Sequence, residues 1–258
     1  MYKHFSACAL IALAAGVAQA GVTGPSPTAA SFSFASDQAD MSWTFFGFGD
    51  QVLDGMNAED PIKLVVDDAN GICPSVKLFA EFSASFTLSG YTATNIFGST
   101  WLHSYNAAGS FGFNDPVSGA PWLTAFLGDS VFTSPGSQFR WSSTGAALGS
   151  DDFGAVVYVA TQEFVDAINA ALDGTGCTAA DLNVFAGQSV SPDDFGFDLS
   201  LLNSGPNGVA IDPQTGLPIA TWRSEGSYSG SATFVPTPGA AALAGLGLVT
   251  VSRRRRSK

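Results

Sequence analysis

This 258-residue sequence predicts an all-β fold: an antiparallel β-sandwich of jelly-roll type carrying one short helix. Three observations predict it. Apolar and polar residues alternate at period two along several stretches, the pattern of a sheet with one face buried and one in water. Turn-forming pairs separate those stretches. A single stretch shows helical apolar spacing with recognisable ends.

The first element is a signal peptide, residues 1–20. In "MYKHFSACALIALAAGVAQA", Lys3 precedes an apolar run from Phe5 to Ala18, and Ala18-Gln19-Ala20 supplies the small residues of a cleavage site. Handling by the secretion machinery, cutting by signal peptidase and a mature start at Gly21 are expected. Cys8 falls inside the run, which argues against a lipoprotein anchor. Residues 21–30, "GVTGPSPTAA", have the composition of an extended leader.

Residues 31–234 read as one β-sandwich domain. Ile62, Leu64 and Val66 alternate with polar or outward neighbours. In "SVKLFAEFSASFTLSG" the residues Val76, Leu78, Ala80, Phe82, Ala84, Phe86 and Leu88 fall on one face; Lys77, Glu81, Ser83, Ser85 and Thr87 fall on the other, and only Phe79 breaks the pattern. Phe195, Phe197, Leu199 and Leu201 make a third run, and Tyr228, Gly230, Ala232 and Phe234 a fourth. Turns are expected at Asp115-Pro116, Ser118-Gly119, Pro135-Gly136, Gly149-Ser150 and Ser204-Gly205-Pro206. The helix is expected over 161–173: Thr161 is the cap, Glu163 and Asp166 lie early, Gly174 ends it, and Phe164, Val165, Ile168 and Leu172 form its core stripe.

Composition narrows the function. With 46% hydrophobic and 12% charged residues, the chain buries a substantial core without resembling a membrane bundle. All 22 carboxylates lie between Asp37 and Glu225, where only Lys63, Lys77, Arg140 and Arg223 oppose them. Such a surface does not attract a phosphate backbone, so no nucleic-acid partner is expected. In an oxidising compartment Cys73 and Cys177 are expected to pair. No Cys-x-x-Cys spacing marks a zinc site.

Motifs for catalysis are scarce. His103, in "WLHSYN", is the only histidine after the signal segment, so any Ser-His-Asp or Cys-His arrangement has to use it. No Gly-x-Ser-x-Gly, phosphate loop or His-Glu-x-x-His occurs. Adjacent carboxylates at Asp67-Asp68, Asp151-Asp152 and Asp193-Asp194 keep open a glycosidase reading, which needs two carboxyls across a sugar linkage. Neighbours on a strand point to opposite faces, however, so these pairs read more naturally as turns, and no catalytic residue is assigned. With Asn70, the same aspartates are weak calcium candidates; "DDANG" lacks the spacing of a complete EF-hand loop, and no cofactor other than calcium is considered. Five tryptophans and several tyrosines offer flat faces to sugars, although a body this rich in Phe should bury most of them. Trp222 and Tyr228, in the polar setting "WRSEGSYSG", are the best candidates for a sugar contact.

The last segment, residues 235–258, is the most informative. From Gly239 to Ser252 there are 14 uncharged residues. As a helix they would reach about 21 Å, short of a hydrocarbon core of about 30 Å. Arg253, Arg254, Arg255 and Arg256 resist crossing and hold that end in the cytoplasm. Pro236 and Pro238 keep the preceding chain extended, the shape in which proteases bind substrates. In its order of Val235-Pro236-Thr237-Pro238-Gly239, short apolar helix and arginine cluster, the tail resembles a PEP-CTERM sorting signal, with Thr237 where the name-giving motif has Glu. That resemblance covers only the tail. It implies transient membrane insertion, processing by an exosortase-like membrane protease, and delivery to the cell surface or an extracellular polysaccharide matrix. The expected protein is therefore an exported, non-enzymatic surface or matrix component, structural or associated with surface polysaccharide. A secreted polysaccharide-active hydrolase or lyase using Asp/Glu pairs is the alternative, and a calcium-stabilised adhesion module the third.

Overall fold

The computed structural model describes residues 29–35, 44–47, 52–56, 61–68, 71–143, 145–150, 156–190, 193–200, 207–220 and 222–234. The expected signal helix, the leader up to residue 28 and the tail with its membrane helix lie outside them. Among the described residues no helix is long and apolar enough to cross a membrane.

Among the described residues the structure shows the all-β, antiparallel class with a single α-helix. The strands are β1 (Ala30–Ala35), β2 (Thr44–Gly47), β3 (Val52–Met56), β4 (Ile62–Asp67), β5 (Val76–Phe97), β6 (Thr100–Asn114), β7 (Pro121–Ser137), β8 (Arg140–Trp141), β9 (Ala146–Ser150), β10 (Val156–Ala160), β11 (Gly187–Gln188), β12 (Asp194–Ser200), β13 (Val209–Ala210) and β14 (Trp222–Ala232). All belong to one sheet, and that sheet closes. β1 pairs with β4, which leads through β5, β6, β7, β9, β12 and β14 back to β1, each pair antiparallel. Gaps between the long strands are filled by short strands placed end to end. Between β5 and β14, the pair β4 and β1 occupies one half and β3 with β2 the other. Along β7, residues 123–127 pair with β10 and residues 130–133 with β9.

Two walls pack through one layer of aromatic rings, as a sandwich requires. Phe111 on β6 meets Phe197 on β12 at 5.1 Å and Tyr228 on β14 at 5.3 Å, centroid to centroid; Phe34 on β1 lies 5.4 Å from Phe82 on β5. The period-two pattern explains this directly. Val76, Ala80, Phe82, Phe86 and Leu88 are buried while Lys77, Glu81, Ser83, Ser85 and Thr87 are exposed. Phe79, the residue that breaks the pattern, is 58% exposed and carries the Lys63 ammonium 6.0 Å above its ring.

Two ends can be distinguished, and they position everything functional. The base carries helix α1 (Gln162–Ala171). Its Thr161 cap accepts the Phe164 amide, and its buried Phe164 and Ile168 seat on the barrel, with Phe164 6.2 Å from both Phe32 and Trp122. Val165, expected in the core stripe, is half-buried. The opposite end, the tip, is built from the β5–β6 hairpin, the β7–β8 turn and β13. The expected turn at Pro135-Gly136 is instead inside β7, because both residues are paired with β6 (Leu102 and Trp101) and the chain reverses only after Ser137. Gly149-Ser150 likewise ends β9. At Asp115–Ala120 the expected turn forms: Gly119 donates to the Asp115 carbonyl at 2.8 Å, and the Asp115 carboxylate accepts from Val117 and Ser118, which holds it below the ordinary carboxyl range.

Cys73 and Cys177 are joined, their Cα atoms 6.0 Å apart, tying the β4–β5 connection to the segment after α1. A loop of 104 residues is closed by this bond. Reduction, or the double substitution Cys73→Ser and Cys177→Ser, is expected to remove up to about 4.7 kcal/mol and to lower Tm by about 10 °C. Calorimetry with and without reductant checks it, and an unchanged Tm would mean that the reduced chain gains no freedom when it unfolds.

Candidate functional site

At the base, a polar network is enclosed where three chain segments meet. Residues 187–190 run between β10 and the end of β14: the Ser189 amide donates to the Tyr158 carbonyl and the Val190 amide to the Thr233 carbonyl, each at 2.8 Å. Asp193 and Asp194 follow a short connection and turn back onto the same strand. The Asp194 carboxylate accepts the Ser231 amide at 2.7 Å and the Ser231 hydroxyl at 2.6 Å; the Asp193 carboxylate accepts the Thr233 amide at 2.9 Å and the Ser189 hydroxyl. Ser189 Oγ in turn accepts the Tyr158 amide at 2.8 Å. Tyr158 completes the network, its hydroxyl donating to the Asp194 carbonyl at 2.8 Å and lying 2.9 Å from that of Tyr228. Gly230 makes room for that hydroxyl pair, since a Cβ there would collide with both oxygens.

Electrostatics sort the members by burial. Asp193 is 1% exposed, and burial raises its carboxyl pKa; the neighbouring Asp194 charge adds to the rise, while the Ser189 and Thr233 bonds oppose it. Burial pushes both tyrosine hydroxyls upward, so they stay neutral donors. This arrangement fixes the last residues of β14. It presents no open carboxylate pair to a sugar linkage.

Beside the network lies a groove of about 580 Å³ between α1 and the 3-10 turn Ala179–Leu182. Val165, Leu172, Val184 and Phe185 give it an apolar floor, and Gln162, Asn169 and Thr178 line its rim. Asn169 is partly committed, accepting the Ala179 amide at 2.8 Å.

The remaining expected residues are dispersed. Asp67 ends β4, and Asp68 builds the turn into the disulfide, its carboxylate accepting the Ile72 amide at 2.8 Å and the Cys73 amide at 3.1 Å. Asn70, Asp151 and Asp152 lie outside the described residues, as do Ala18, Ala20, Gly21, the sorting motif from Val235 to Gly239 and the cluster Arg253 to Arg256. Among the described residues no three His, Cys, Asp or Glu side chains converge as metal ligands would.

Trp222 and Tyr228 correct the expectation of sugar contact. They are 1% and 2% exposed, because on β14 they occupy inward positions, with Ser224 on the same side and Ser229 facing outward. Trp222 packs edge-on against Trp141 at 5.3 Å, and Tyr228 lies within the aromatic layer. Among the described residues the exposed large apolar side chains are others: Ile96, Phe97, Phe139 and Ile219, all at the tip, together with Phe79, Phe126, Ile72, Val117 and Val190. Period-two reading misses those at the tip because they sit in turns and strand ends. Their signal is a large apolar residue beside a turn glycine, as in Phe97-Gly98.

His103 is fully buried beneath that tip. Its Nε2–H donates to the Ser137 carbonyl at 2.8 Å and its Nδ1 accepts the Tyr91 hydroxyl at 3.1 Å; burial lowers its pKa, keeping it neutral. Both nitrogens are thus engaged in holding β6 to β5 and β7. Tyr105, next inward, donates to the Gly216 carbonyl at 2.5 Å and accepts from Trp141 Nε1 at 2.9 Å. Gly216, at φ +71, packs flat on the Tyr91 ring.

Comparisons with known proteins return no matching family model, no matching curated protein and no matching solved structure.

Two tryptophans test this account of the buried polar groups. Trp141 Nε1 has its Tyr105 partner, whereas Trp222 Nε1 is buried with no partner among the described residues. Trp141→Phe and Trp222→Phe remove the same volume, so urea unfolding is expected to find the first costlier by about 1–2 kcal/mol. For Asp193 the sign follows from its raised pKa: the folded state binds the proton more tightly than the unfolded chain. The stability of wild type minus that of Asp193→Asn is therefore expected to be flat above the raised pKa. It should rise as pH falls through that value and level off below the unfolded carboxyl value of about 3.9. Denaturation at a series of pH values checks this, and a fall instead of a rise would show the Ser189 and Thr233 bonds outweighing burial.

Proposed function

We propose that this protein is an exported component of the cell surface or extracellular matrix, processed through its PEP-CTERM-like tail by an exosortase-type membrane protease. Its body serves a structural or polysaccharide-associated role, without catalysis. The tail itself is the first support, through its order of extended motif, short apolar segment and arginines at residues 235–258.

The observation that carries the reading further is the pairing of β1 with β14, in which Ala30 stands opposite Ala232. Partners at that position put the start of β1 and the end of β14 at the same end of the body, the base. A body tethered through its C-terminal segment then has its base towards the membrane and its tip away from it. The tip is where Phe97 and Phe139, 67% and 50% exposed, meet the surroundings with Ile96 and Ile219. Aromatic and aliphatic faces of this kind suit contact with polymer or with neighbouring surface components better than isolated solvation. The disulfide and the closed sheet suit a protein that persists outside the cell, where thiols oxidise and refolding is unassisted.

Mass spectrometry of the protein released from its native culture is the test. The expected product starts at Gly21 and ends upstream of Arg253. Release of a chain still carrying Arg253 to Arg256 would overturn the sorting reading, and a chain retaining Met1 in the cytosol would overturn export.

A further inference from the structure

We propose that copies of this protein associate head to tail: the tip of one seats Phe97 and Phe139 in the groove beside α1 of a second copy, and Arg140 of the first pairs with Asp173 of the second. Register makes the tip one surface. Trp101 stands opposite Gly136, so the β5–β6 and β7–β8 turns stop level with each other. The Phe139 carbonyl accepts the Ile211 amide at 3.1 Å, and the Ile219 amide donates to the Ala210 carbonyl at 3.1 Å, which brings Ile219 to the same level. Ile96, Phe97, Phe139 and Ile219 are thereby exposed on neighbouring segments, and apolar side chains gathered in this way mark a contact surface.

Charge identifies the occupant. Residues 95–101 and 136–141, which form the two turns, carry one ionisable side chain, that of Arg140, and it is exposed. Asp212, in the third segment of the tip, is engaged by its own turn, its carboxylate accepting the Gln214 amide at 2.7 Å and the Thr215 amide at 3.1 Å. The groove has the opposite character. Residues 162–186, which build its walls, hold Glu163, Asp166, Asp173 and Asp181 and no Lys or Arg. Asp173 is exposed and lines the groove just past the carbonyl end of α1, where no basic residue in the last turn offsets the partial negative charge of the helix. Val165, Leu172, Val184 and Phe185 supply the apolar floor. An apolar end with one cation thus meets an apolar seat with an acidic rim, on a body whose remaining surface repels its own copies. A neutral polymer would use the rings of the tip but not its guanidinium, and an anionic surface would be repelled by the carboxylates of the body.

Tip and groove lie too far apart to meet within one chain. The 22-residue β5 starts just after Cys73, which the disulfide ties to Cys177 in the groove lining, and ends at Phe97. Donor and acceptor at opposite ends make a heterologous contact, which leaves a free tip and a free groove after every addition and so propagates. The contact stands on the body alone; growth of such chains away from the cell rests on the proposed tethering, which turns each base towards the membrane.

Sedimentation velocity on the chain from Gly21 to Lys258, held in neutral detergent micelles, tests the contact without export or processing, so its failure is distinct from a failure of sorting. Sedimentation is expected to quicken with protein concentration, past that of a dimer. Arg140→Asp and Asp173→Arg should each weaken association at least about tenfold, because each sets like charges against one another. Mixed in equal amounts, the two variants should recover it, since every tip then finds a groove of opposite charge. Phe97→Ser combined with Phe139→Ser should weaken association at least about tenfold as well. All four side chains are exposed, and an unchanged Tm verifies that the body is intact. A single body at every concentration would overturn the proposal; its retention on immobilised neutral glucan or on phosphatidylcholine vesicles, lost with the two phenylalanines, would then assign the tip to polymer or lipid. Association that stops at a dimer would indicate tip-to-tip pairing, and association that survives all the substitutions would belong to another part of the chain. Either result overturns head-to-tail seating, as does a mixture of the two charge variants that fails to associate.

Discussion

The pairing of β1 with β14 is the constraint on which the rest of the structure depends. It joins the first strand of the described body to the last, through six register pairs from Ala30↔Ala232 to Ala35↔Ser227. Without it the sheet is joined between β5 and β14 only through β3 and β2, and the half nearer the base, where Phe32 and Phe34 lie, is left open; with it, the ladder encloses the aromatic layer along its full length. The most buried side chains of that layer come from both ends of the chain, Phe32 and Phe34 from β1 and Tyr228 from β14, meeting Phe82, Phe111 and Phe113 from the middle. Closure is therefore a long-range event. Folding has to assemble contacts between distant parts of the chain before the largest rings leave water, and all-β topologies of this kind fold slowly for that reason.

Each end of the enclosed layer is finished by a polar network. Under the tip, His103, Tyr91, Tyr105 and Trp141 link β5, β6, β7 and the loop at Gly216; at the base, Tyr158, Tyr228, Ser189 and Asp193 link β10, β14 and residues 187–193. These groups are buried but almost wholly satisfied, and that is the condition under which burial of polar atoms is tolerated. They also specify geometry where hydrophobic packing cannot, because a ring tolerates rotation that a hydrogen bond does not. The titratable members follow the same rule: His103 is held neutral, and Asp193 is raised towards its neutral form.

Much of the fold was legible in the sequence. The alternation in β5, β12 and β14 identified the buried faces, because a half-buried strand forces one residue in two to be apolar. The helix was legible from Thr161 and Gly174, and the disulfide from the two cysteines that follow the expected signal segment. β6 was harder to read: its run through Asn106, Ala107, Ala108, Gly109 and Ser110 uses small residues that carry little hydrophobic signal, yet it lies between β5 and β7 at the centre of one wall. Trp222 and Tyr228 were misjudged for a related reason. Polar residues such as Ser229 give the segment a hydrophilic character, although in a strand they describe one face of it, while Tyr228 and Gly230 lie on the buried one. The base network was invisible to sequence because its partners, Tyr158, Ser189, Asp193 and Thr233, are brought together by closure and share no local spacing.

Closure also answers a difficulty that the composition raises. A body of alternating apolar and small polar residues, with only 12% of its residues charged, is material for edge-to-edge aggregation. Charge alone is a weak defence, because repulsion among its carboxylates is screened within about 8 Å at physiological ionic strength. Closing the ladder removes the problem at its origin: a sheet whose first strand bonds to its last exposes no long row of free amides and carbonyls. The short strands that fill the gaps, such as β2, β3 and β11, have too few residues to template a partner for long. Resistance to edge-to-edge association thus follows from topology. The low charge that would endanger an open sheet is compatible with a closed one.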